Sequence, residues 1–147
     1  MNTSTPNEPN AENPNTEAAF QWPVRVYWED TDGGGVVYHA RYLHFFERAR
    51  TEWLRHLGFD QSVLKAEHNI VFAISQMDIK FLRAAHLDDE LQVSVRLVKR
   101  GRARMQMEQE IRRGDEPIAR AVVYAGCLKA DRFKPTRIPS FMLAELR

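Results

Sequence analysis

The feature of this sequence that most constrains its fold is one long stripe of apolar residues at helical spacing. Apolar side chains recur at intervals of four, three, four and four residues, which places them on one face of an α-helix. The stripe consists of Tyr42, Phe46, Ala49, Trp53 and Leu57. Charged residues fill most of the remaining positions, and Gly58 stands where a left-handed residue would end the helix. The pattern predicts a helix over residues 40–57 that must bury its apolar face against another layer.

That other layer is predicted to be a sheet, because the rest of the chain is rich in β-forming residues. Polar and apolar residues alternate in several segments, as they do in strands with one buried face. Short turns around Gly101 and Gly114 separate the last three segments, so these neighbours are expected to run antiparallel. The five predicted strands cover residues 23–28, 70–81, 91–97, 105–111 and 118–128. One helix on a five-stranded antiparallel sheet is an α+β two-layer domain, and its open sheet edges would close against a partner subunit.

Composition places these elements in one globular domain. The chain has 147 residues, of which 44% are hydrophobic and 28% are charged, a profile typical of a single folded domain. The first twenty residues contain five Asn, three Pro and three Glu but no Lys or Arg. Because such a segment cannot bury enough apolar surface to offset its ordering entropy, residues 1–20 are predicted to be a disordered arm. The domain is expected to cover residues 21–147 and to begin near Trp22.

Charge and cysteine content exclude several classes of function. A formal net charge of +1 is too small to indicate nucleic-acid binding. Cys127 is the only cysteine, which excludes an internal disulfide and a Cys-based zinc site and predicts a small buried side chain. No apolar run approaches the roughly 20 residues of a membrane span, and the first residues lack the features of a secretory leader. A cytoplasmic location is therefore expected.

Residues that could carry chemistry are concentrated between Tyr27 and Tyr42, in the segment YWEDTDGGGVVYHARY. Three acids, three glycines and a histidine lie within eleven residues at a predicted strand-to-helix junction. Free amides at a helix start stabilise negative charge, and a nearby carboxylate completes a minimal site for attack on a carbonyl. Neither an EF-hand nor a Gly-x-Gly-x-x-Gly nucleotide loop fits, since Gly34, Tyr38 and Arg41 occupy positions that those motifs reserve for other residues. A turn that only caps the helix remains an alternative.

The longer run from Tyr27 to Leu54, YWEDTDGGGVVYHARYLHFFERARTEWL, resembles the signature of the hotdog-fold acyl-CoA thioesterases. The resemblance is to the 4-hydroxybenzoyl-CoA thioesterase family, in particular to its Tol–Pal-associated, YbgC-type branch, and it extends from about Trp22 to the end of the chain. It implies the hotdog fold, in which a five-stranded antiparallel sheet wraps around one long helix. The element order read from the sequence agrees with that fold.

The resemblance also implies roles for individual residues. Asp32, the second acid of the Asp-x-Asp pair, would be the catalytic residue, acting as nucleophile or general base on a thioester carbonyl. The amides around His39 and Ala40 would hold the carbonyl oxygen, and the His39 side chain would assist proton transfer or orient the thioester. Further substrate contacts are expected from Gly35 and Tyr38.

A basic cluster surrounds the predicted turn at Gly101. It consists of Arg96, Lys99, Arg100, Arg102 and Arg104. By itself the cluster is typical of a solvated hairpin tip, and it lacks the interleaved aromatic residues that favour nucleic-acid binding. The resemblance implies instead that Arg100 and Arg102 hold the phosphates of CoA, for which the arginine fork is well suited.

Other acidic residues near the site are expected to have structural roles. Glu29 and Asp30 would support the turn through hydrogen bonds. Glu47 lies on the helix, where another hotdog branch carries its catalytic acid. In this chain it is expected to pair with Arg50 or a neighbour instead.

The function implied by the resemblance is hydrolysis of an acyl-CoA thioester to a carboxylate and CoA, without a metal or prosthetic group. The family forms homo-oligomers, so a dimer or a homotetramer is expected. Acyl carrier protein and the inner-membrane surface are further candidate partners, whereas nucleic acid is not, and the Tol–Pal branch is linked to maintenance of the cell envelope. Two other functions stay open: a hotdog hydratase or dehydratase acting on 3-hydroxyacyl thioesters, and a module that binds acyl-CoA or acyl carrier protein without catalysis.

Overall fold

The structure is a computed structural model and describes residues 19–146. The predicted arm, residues 1–20, lies almost entirely outside the described residues. The helices are a short 3-10 helix (Trp28–Asp30), α1 (Arg41–His56), α2 (Gln61–His68) and α3 (Ser140–Leu143). The strands are β1 (Phe20–Arg25), β2 (Ile70–Phe81), β3 (Glu90–Arg100), β4 (Arg104–Arg113) and β5 (Glu116–Lys129). Within residues 19–146, no helix combines the length and apolar character that a membrane crossing requires.

The five strands form one sheet in the order β1-β3-β4-β5-β2, and every neighbouring pair is antiparallel. Short hairpins join β3 to β4 and β4 to β5, as the glycine-containing turns predict. β1 and β2 are the two edge strands of this sheet. The predicted five-stranded antiparallel sheet and the α+β class are therefore confirmed.

Helix α1 confirms the apolar stripe that predicted it, because its apolar face is buried on the inner face of the sheet. The side chains it buries are Tyr42, Phe45, Phe46, Ala49, Trp53 and Leu54. It packs mainly on β1 and β3, whose inward residues include Val24, Leu91 and Val93. Burial of each large side chain of this kind stabilises the fold by about 1.5–3 kcal/mol. The helix ends as predicted: Gly58 has φ +98°, and its amide donates to the Arg55 carbonyl at 2.9 Å.

The predicted position of the first strand is wrong. The first strand covers Phe20–Arg25 rather than residues 23–28, since Phe20 already pairs with Val95 of β3. Trp28 belongs instead to the 3-10 helix. The amide of Tyr27, which directly precedes this helix, donates to Oδ2 of Asp30 at 2.8 Å. β1 thus begins two residues before Trp22, near which the domain was expected to begin.

Helix α2 was not predicted. It is only eight residues long, and its apolar pattern is too short to stand out from the surrounding sequence. Its start does carry a local signal, because the Asp60 side chain accepts from the Ser62 amide at 2.9 Å and caps the helix. Asn69, with φ +56°, ends it in the left-handed conformation.

The two ends of the sheet lie far apart. We call the end where β3 starts at Glu90, paired with Arg25 of β1, the loop end. The opposite end, where β3 finishes at Arg100 and turns into β4, is the hairpin end. Ten residue steps separate Glu90 from Arg100, which at a strand rise of roughly 3.3 Å puts the two ends about 33 Å apart.

Candidate active site

The candidate site is built on the turn between β1 and α1, at the loop end of the sheet. Backbone bonds fix where this turn begins: the Val26 amide donates to Asp89 at 2.9 Å, and the Asp88 amide donates back to Val26 at 3.0 Å. The carboxylate of Asp30, which is buried, accepts from the Tyr27 amide and lies 3.5 Å from Nε of Arg41. The turn is thereby tied to the first residue of helix α1.

Glu29 strengthens the same tie. The Arg41 guanidinium donates to the carbonyl and to the carboxylate of Glu29, each at 3.3 Å. The hydrogen bonds expected of Glu29 and Asp30 are therefore present, and both acids support the turn.

The chain then folds back on itself in a tight loop over residues 31–37. Thr31 and Val37 face one another as an antiparallel bridge. The Asp32 amide donates to Val36 at 3.0 Å, and the Tyr38 amide donates to Asp30 at 2.9 Å. Because the bridge closes the loop directly before the helix, Asp32 is held close to the residues that open α1.

The Asp32 carboxylate is exposed, and its two oxygens differ. Oδ1 accepts from the Gly34 amide at 2.8 Å. Oδ2 accepts no hydrogen bond from any residue in the range 19–146, and within that range Asp32 forms no ion pair. One oxygen is thus held in place while the other is available to a reacting molecule.

The start of helix α1 presents two amide donors. The amides of Arg41, Tyr42 and Leu43 donate back to the carbonyls of residues 38–40. Those of His39 and Ala40 donate to no acceptor within the part of the chain that the structure describes. They lie at the positive end of a 16-residue helix, where partial charges favour an oxyanion.

Aromatic rings cluster at the start of helix α1. The His39 ring lies 4.6 Å from the Tyr38 ring and 6.3 Å from that of Phe81, measured between centroids. Phe81 in turn lies 5.7 Å from the ring of Tyr42. Tyr38 and Phe81 are about half exposed (49% and 51%), so the site has an apolar rim that a substrate or a second chain can cover.

Hydrogen bonds join the segment over residues 82–89 to the loop that carries the site. The Val37 amide donates to Ala85 at 2.9 Å, the Leu87 amide donates to Gly35 at 3.2 Å, and the Ala85 amide donates to the Tyr42 hydroxyl at 3.0 Å. Burial raises the pKa of Tyr42, which keeps this hydroxyl neutral. The structure thus brings together Gly35 and Tyr38 with the loop that carries Asp32, His39 and Ala40.

An ion network anchors that segment to the sheet. The Arg113 guanidinium donates to Asp89 at 2.6 Å and to Glu116 at 2.8 Å. Although partial burial opposes ionisation of Asp89, hydrogen bonds from the His86 amide and from Arg113 hold the pKa of its carboxyl below the ordinary value. Hydrogen bonds to Glu116 and Asp89 correspondingly raise the pKa of Arg113.

Arg100 and Arg102 lie elsewhere, at the hairpin end. Nε of Arg100 donates to the Leu146 carbonyl at 2.8 Å, and the Arg102 carbonyl accepts from the Ile138 amide at 2.8 Å. The length of β3 places both arginines about 33 Å from the loop end. One chain therefore does not bring its own Arg100 and Arg102 to its own Asp32.

Sequence reasoning missed a polar link between the helix and the sheet. Arg50 donates to Oε1 of Gln109 at 2.9 Å, and Nε2 of Gln109 donates to the Phe46 carbonyl at 3.0 Å. The expected pairing of Glu47 with Arg50 is present only as a longer-range attraction: burial lowers the pKa of Arg50, and the charge of Glu47 acts in the opposite direction. Within residues 19–146 no basic group lies within 4 Å of the Glu47 carboxylate. The sequence does carry a signal for this link, because Gln109 is a polar residue on the otherwise apolar inward face of β4, between Met107 and Ile111, and it is buried.

Arg50 and Glu47 also line a cavity of about 220 Å³ between α1 and the inner face of the sheet. Its other walls are mostly apolar and include Trp53, Leu54, Phe72, Ile74, Met105 and Met107. Burial lowers the pKa of Arg50. The predicted core positions of Met105, Met107 and Cys127 are confirmed, because all three side chains are buried.

The comparison with known proteins assigns the family. Residues 26–146 match the family described as Thioesterase-like superfamily. Over 120 residues the chain is 46% identical to the acyl-CoA thioesterase YbgC of Haemophilus influenzae, covering 82% of this chain and 88% of that protein. This protein belongs to the thioesterase-like superfamily.

Solved structures agree with that assignment. A probable thioesterase from Bartonella henselae superposes with a TM-score of 0.80 at 39% identity, covering 83% of this chain and 100% of the other. A thioesterase from Thermus thermophilus, complexed with coenzyme A and Zn, superposes with a TM-score of 0.73 at 27% identity, covering 86% of this chain and 91% of the other. The hotdog fold implied by the sequence is thereby confirmed.

Proposed function

We propose that this chain hydrolyses acyl-CoA thioesters to a carboxylate and free CoA, with Asp32 as the reacting carboxylate. One observation carries the proposal: Oδ2 of Asp32, which accepts no hydrogen bond from residues 19–146, lies on the loop that leads into the amides of His39 and Ala40, which find no acceptor within the same range. The name of the Haemophilus relative, an acyl-CoA thioesterase, supports the substrate class.

The reaction needs few groups. The thioester carbonyl oxygen accepts hydrogen bonds from the His39 and Ala40 amides, which stabilise the charge that develops on it during attack. In one route Asp32 takes a proton from water, whose oxygen attacks the carbonyl carbon. In the other, Oδ2 attacks directly and forms an acyl anhydride that water then hydrolyses. Both routes expel the CoA sulfur as a thiolate, which with a thiol pKa near 8.5 (cysteine as a stand-in) leaves without a dedicated acid.

His39, Tyr38 and Gly35 complete the proposed site around that carbonyl. The His39 ring, set between Tyr38 and Phe81, orients the thioester or assists proton transfer. The Gly35 carbonyl is already engaged by Leu87, so its substrate contact is through the backbone surface that the absent side chain leaves open.

The cavity beside helix α1 is the proposed site of the acyl group. The lining of the apolar cavity begins at Glu47, seven residues beyond Ala40, and a helical rise of about 1.5 Å per residue puts it roughly 10 Å from the proposed oxyanion site. This direction leads the acyl chain along α1 and against the inner face of the sheet.

Binding of the CoA end of the substrate at this site requires a second chain. Arg100 and Arg102, the proposed phosphate ligands, lie about 33 Å from the Asp32 end of their own chain, so a partner's hairpin would supply them. β2 is an edge strand with Ile74 exposed on it, and pairing of its edge with a second copy is how we propose the homo-oligomer forms. Light scattering after size exclusion would separate a dimer from a homotetramer.

The resemblance to the Tol–Pal-associated branch carries three further proposals. They are a cytoplasmic enzyme acting in the Tol–Pal context, acyl carrier protein as an alternative carrier of the acyl group, and association with the inner-membrane surface. Cell fractionation tests the first and third, and comparison of acyl-CoA with acyl carrier protein thioesters tests the second.

A thiol-release assay over short, long and aromatic acyl-CoAs tests the proposed activity. The expected result is release of one thiol per carboxylate formed. Tight binding of acyl-CoA without thiol release would instead indicate a binding module. Addition or loss of water at a 3-hydroxyacyl or enoyl thioester without thiol release would indicate a hydratase or dehydratase.

A further inference from the structure

The three consecutive glycines of the site loop are glycine for different physical reasons. Gly33 and Gly35 have φ angles of +92° and +89°, and a Cβ at either position would meet no heavy atom within 4 Å. These two glycines satisfy a backbone conformation that other residues rarely adopt. Gly34 has a φ outside the left-handed region, so its φ angle does not itself require glycine. A Cβ there would lie 3.2 Å from Oδ1 of Asp32.

The same residue also holds that oxygen. The Gly34 amide donates to Oδ1 of Asp32 at 2.8 Å, which restricts rotation of the carboxylate and leaves Oδ2 without a hydrogen bond from residues 19–146. We propose that Gly34 is a positioning residue: its amide orients the Asp32 carboxylate so that Oδ2 is the reacting oxygen, and its missing side chain lets Oδ1 lie against that amide. The inference rests on the proposed function, in which Asp32 reacts with the thioester.

Adding one methyl group at this position tests the arrangement. In Gly34→Ala, Oδ1 must move by a few tenths of an ångström, because 3.2 Å is closer than a relaxed contact between carbon and oxygen. Oδ2 moves with it, and reaction rates are steep functions of the placement of the attacking atom. We expect kcat to fall about tenfold while KM stays within about twofold, since binding of CoA and of the acyl group is untouched.

A double-mutant cycle separates positioning from a general effect on the fold. If Gly34 acts through the carboxylate, Gly34→Ala has no further effect on the residual activity of Asp32→Asn. Gly126→Ala is the matched control, because Gly126 also lacks a left-handed φ and a Cβ there meets no atom within 4 Å. Its kcat is expected to equal that of the wild type.

Each outcome decides between the two claims. Wild-type kcat in Gly34→Ala together with an inactive Asp32→Asn overturns the role of Gly34 and leaves the proposed function standing. An active Asp32→Asn overturns the proposed catalytic residue and the inference with it. If Gly34→Ala folds poorly, its thermal midpoint is compared with that of Asp32→Ala/Gly34→Ala. Recovery of stability on removal of the carboxylate supports the contact, and absence of recovery contradicts it.

Discussion

The two ends of the sheet carry charge in opposite ways. At the loop end most charged groups have a partner, such as Asp30 with Arg41, Glu90 with Arg25, and Asp89 with Arg113. At the hairpin end a set of cations has no carboxylate within 4 Å among residues 19–146. These hairpin-end cations are Lys99, Arg100, Arg102, Arg104, Lys129, Arg132, Lys134 and Arg137.

This difference indicates that the loop end holds groups in fixed positions, whereas the hairpin end attracts anionic groups. Paired and hydrogen-bonded charges at the loop end hold backbone segments in fixed positions, as preorganised catalysis requires. Asp32 has no ion-pair partner among residues 19–146, and its Oδ2, which accepts no hydrogen bond from those residues, is the group proposed to react. The arginines and lysines at the hairpin end have no carboxylate partner among residues 19–146, although Arg100 donates to the Leu146 carbonyl, and such cations attract anions such as phosphates.

The largest expected effect concerns the Asp32 carboxylate. Asp32→Asn should lower kcat for acyl-CoA hydrolysis by about 10³-fold, because the amide neither takes a proton nor attacks the carbonyl. Stability should be unchanged, since the side chain is exposed and an amide oxygen still accepts from Gly34. Thiol release and thermal unfolding measure the two quantities. Asp115→Asn, at the exposed β4–β5 turn, is the control, and near-full turnover in Asp32→Asn would falsify the assignment.

The next effect concerns the paired charges of the loop end. Arg113→Met should lower the free energy of unfolding by about 2 kcal/mol, because Asp89 loses its charged hydrogen-bond donor. Arg120→Met, which breaks an exposed pair with Glu110 on the outer face, should cost no more than about 1 kcal/mol. Urea unfolding of the two variants measures this contrast. Equal losses would mean that the Arg113 network has no special role in holding the loop end together.

At the hairpin end a smaller effect, on substrate affinity, is expected. Arg102→Glu should raise KM for acyl-CoA about fivefold with kcat within about twofold, and added salt should reduce the difference because exposed charges are screened. An acyl-pantetheine substrate, which lacks the nucleotide phosphates, should not discriminate between the variant and the wild type. Arg48→Glu on the exposed side of α1 makes the same change in net charge. A similar rise in KM for both variants would contradict a local phosphate contact.

The smallest effect is a pH dependence of stability at the loop end. The pKa of Asp89 in the folded state lies below its ordinary value of 3.8, so its ionised form stabilises the fold at higher pH. That contribution is lost as the pH falls through the lowered pKa. The difference in unfolding free energy between wild type and Asp89→Asn should therefore be constant from about pH 7 to 5 and shrink below about pH 4. A difference that grows on acidification would show that the pKa is not lowered.

Local sequence patterns predicted much of the fold and the centre of the site. Helix α1 falls within one residue of its predicted bounds at each end, because a broad apolar stripe leaves a single way to bury the helix. Strand β2 matches its prediction, Ile70–Phe81. Asp32, Gly35, Tyr38, His39 and Ala40 lie within nine residues of the chain, so a single loop could be expected to bring them together.

Contacts between distant parts of the chain decided the rest. The position of β1 depends on its register with β3, about 70 residues later, rather than on its own alternation. Arg50 donates its hydrogen bond to Gln109 and not to Glu47, since the sheet brings the Gln109 amide beneath the helix.

By itself, then, the sequence determined the long helix, the five strands, the glycine-rich turn and the carboxylate within it, because those depend on the spacing of neighbouring residues. Only the tertiary structure decided that the basic hairpin lies a full strand length from its own Asp32, and that one oxygen of this carboxylate is held by the Gly34 amide. The reason is that strand length, sheet order and side-chain rotation are set by the packing of the whole domain.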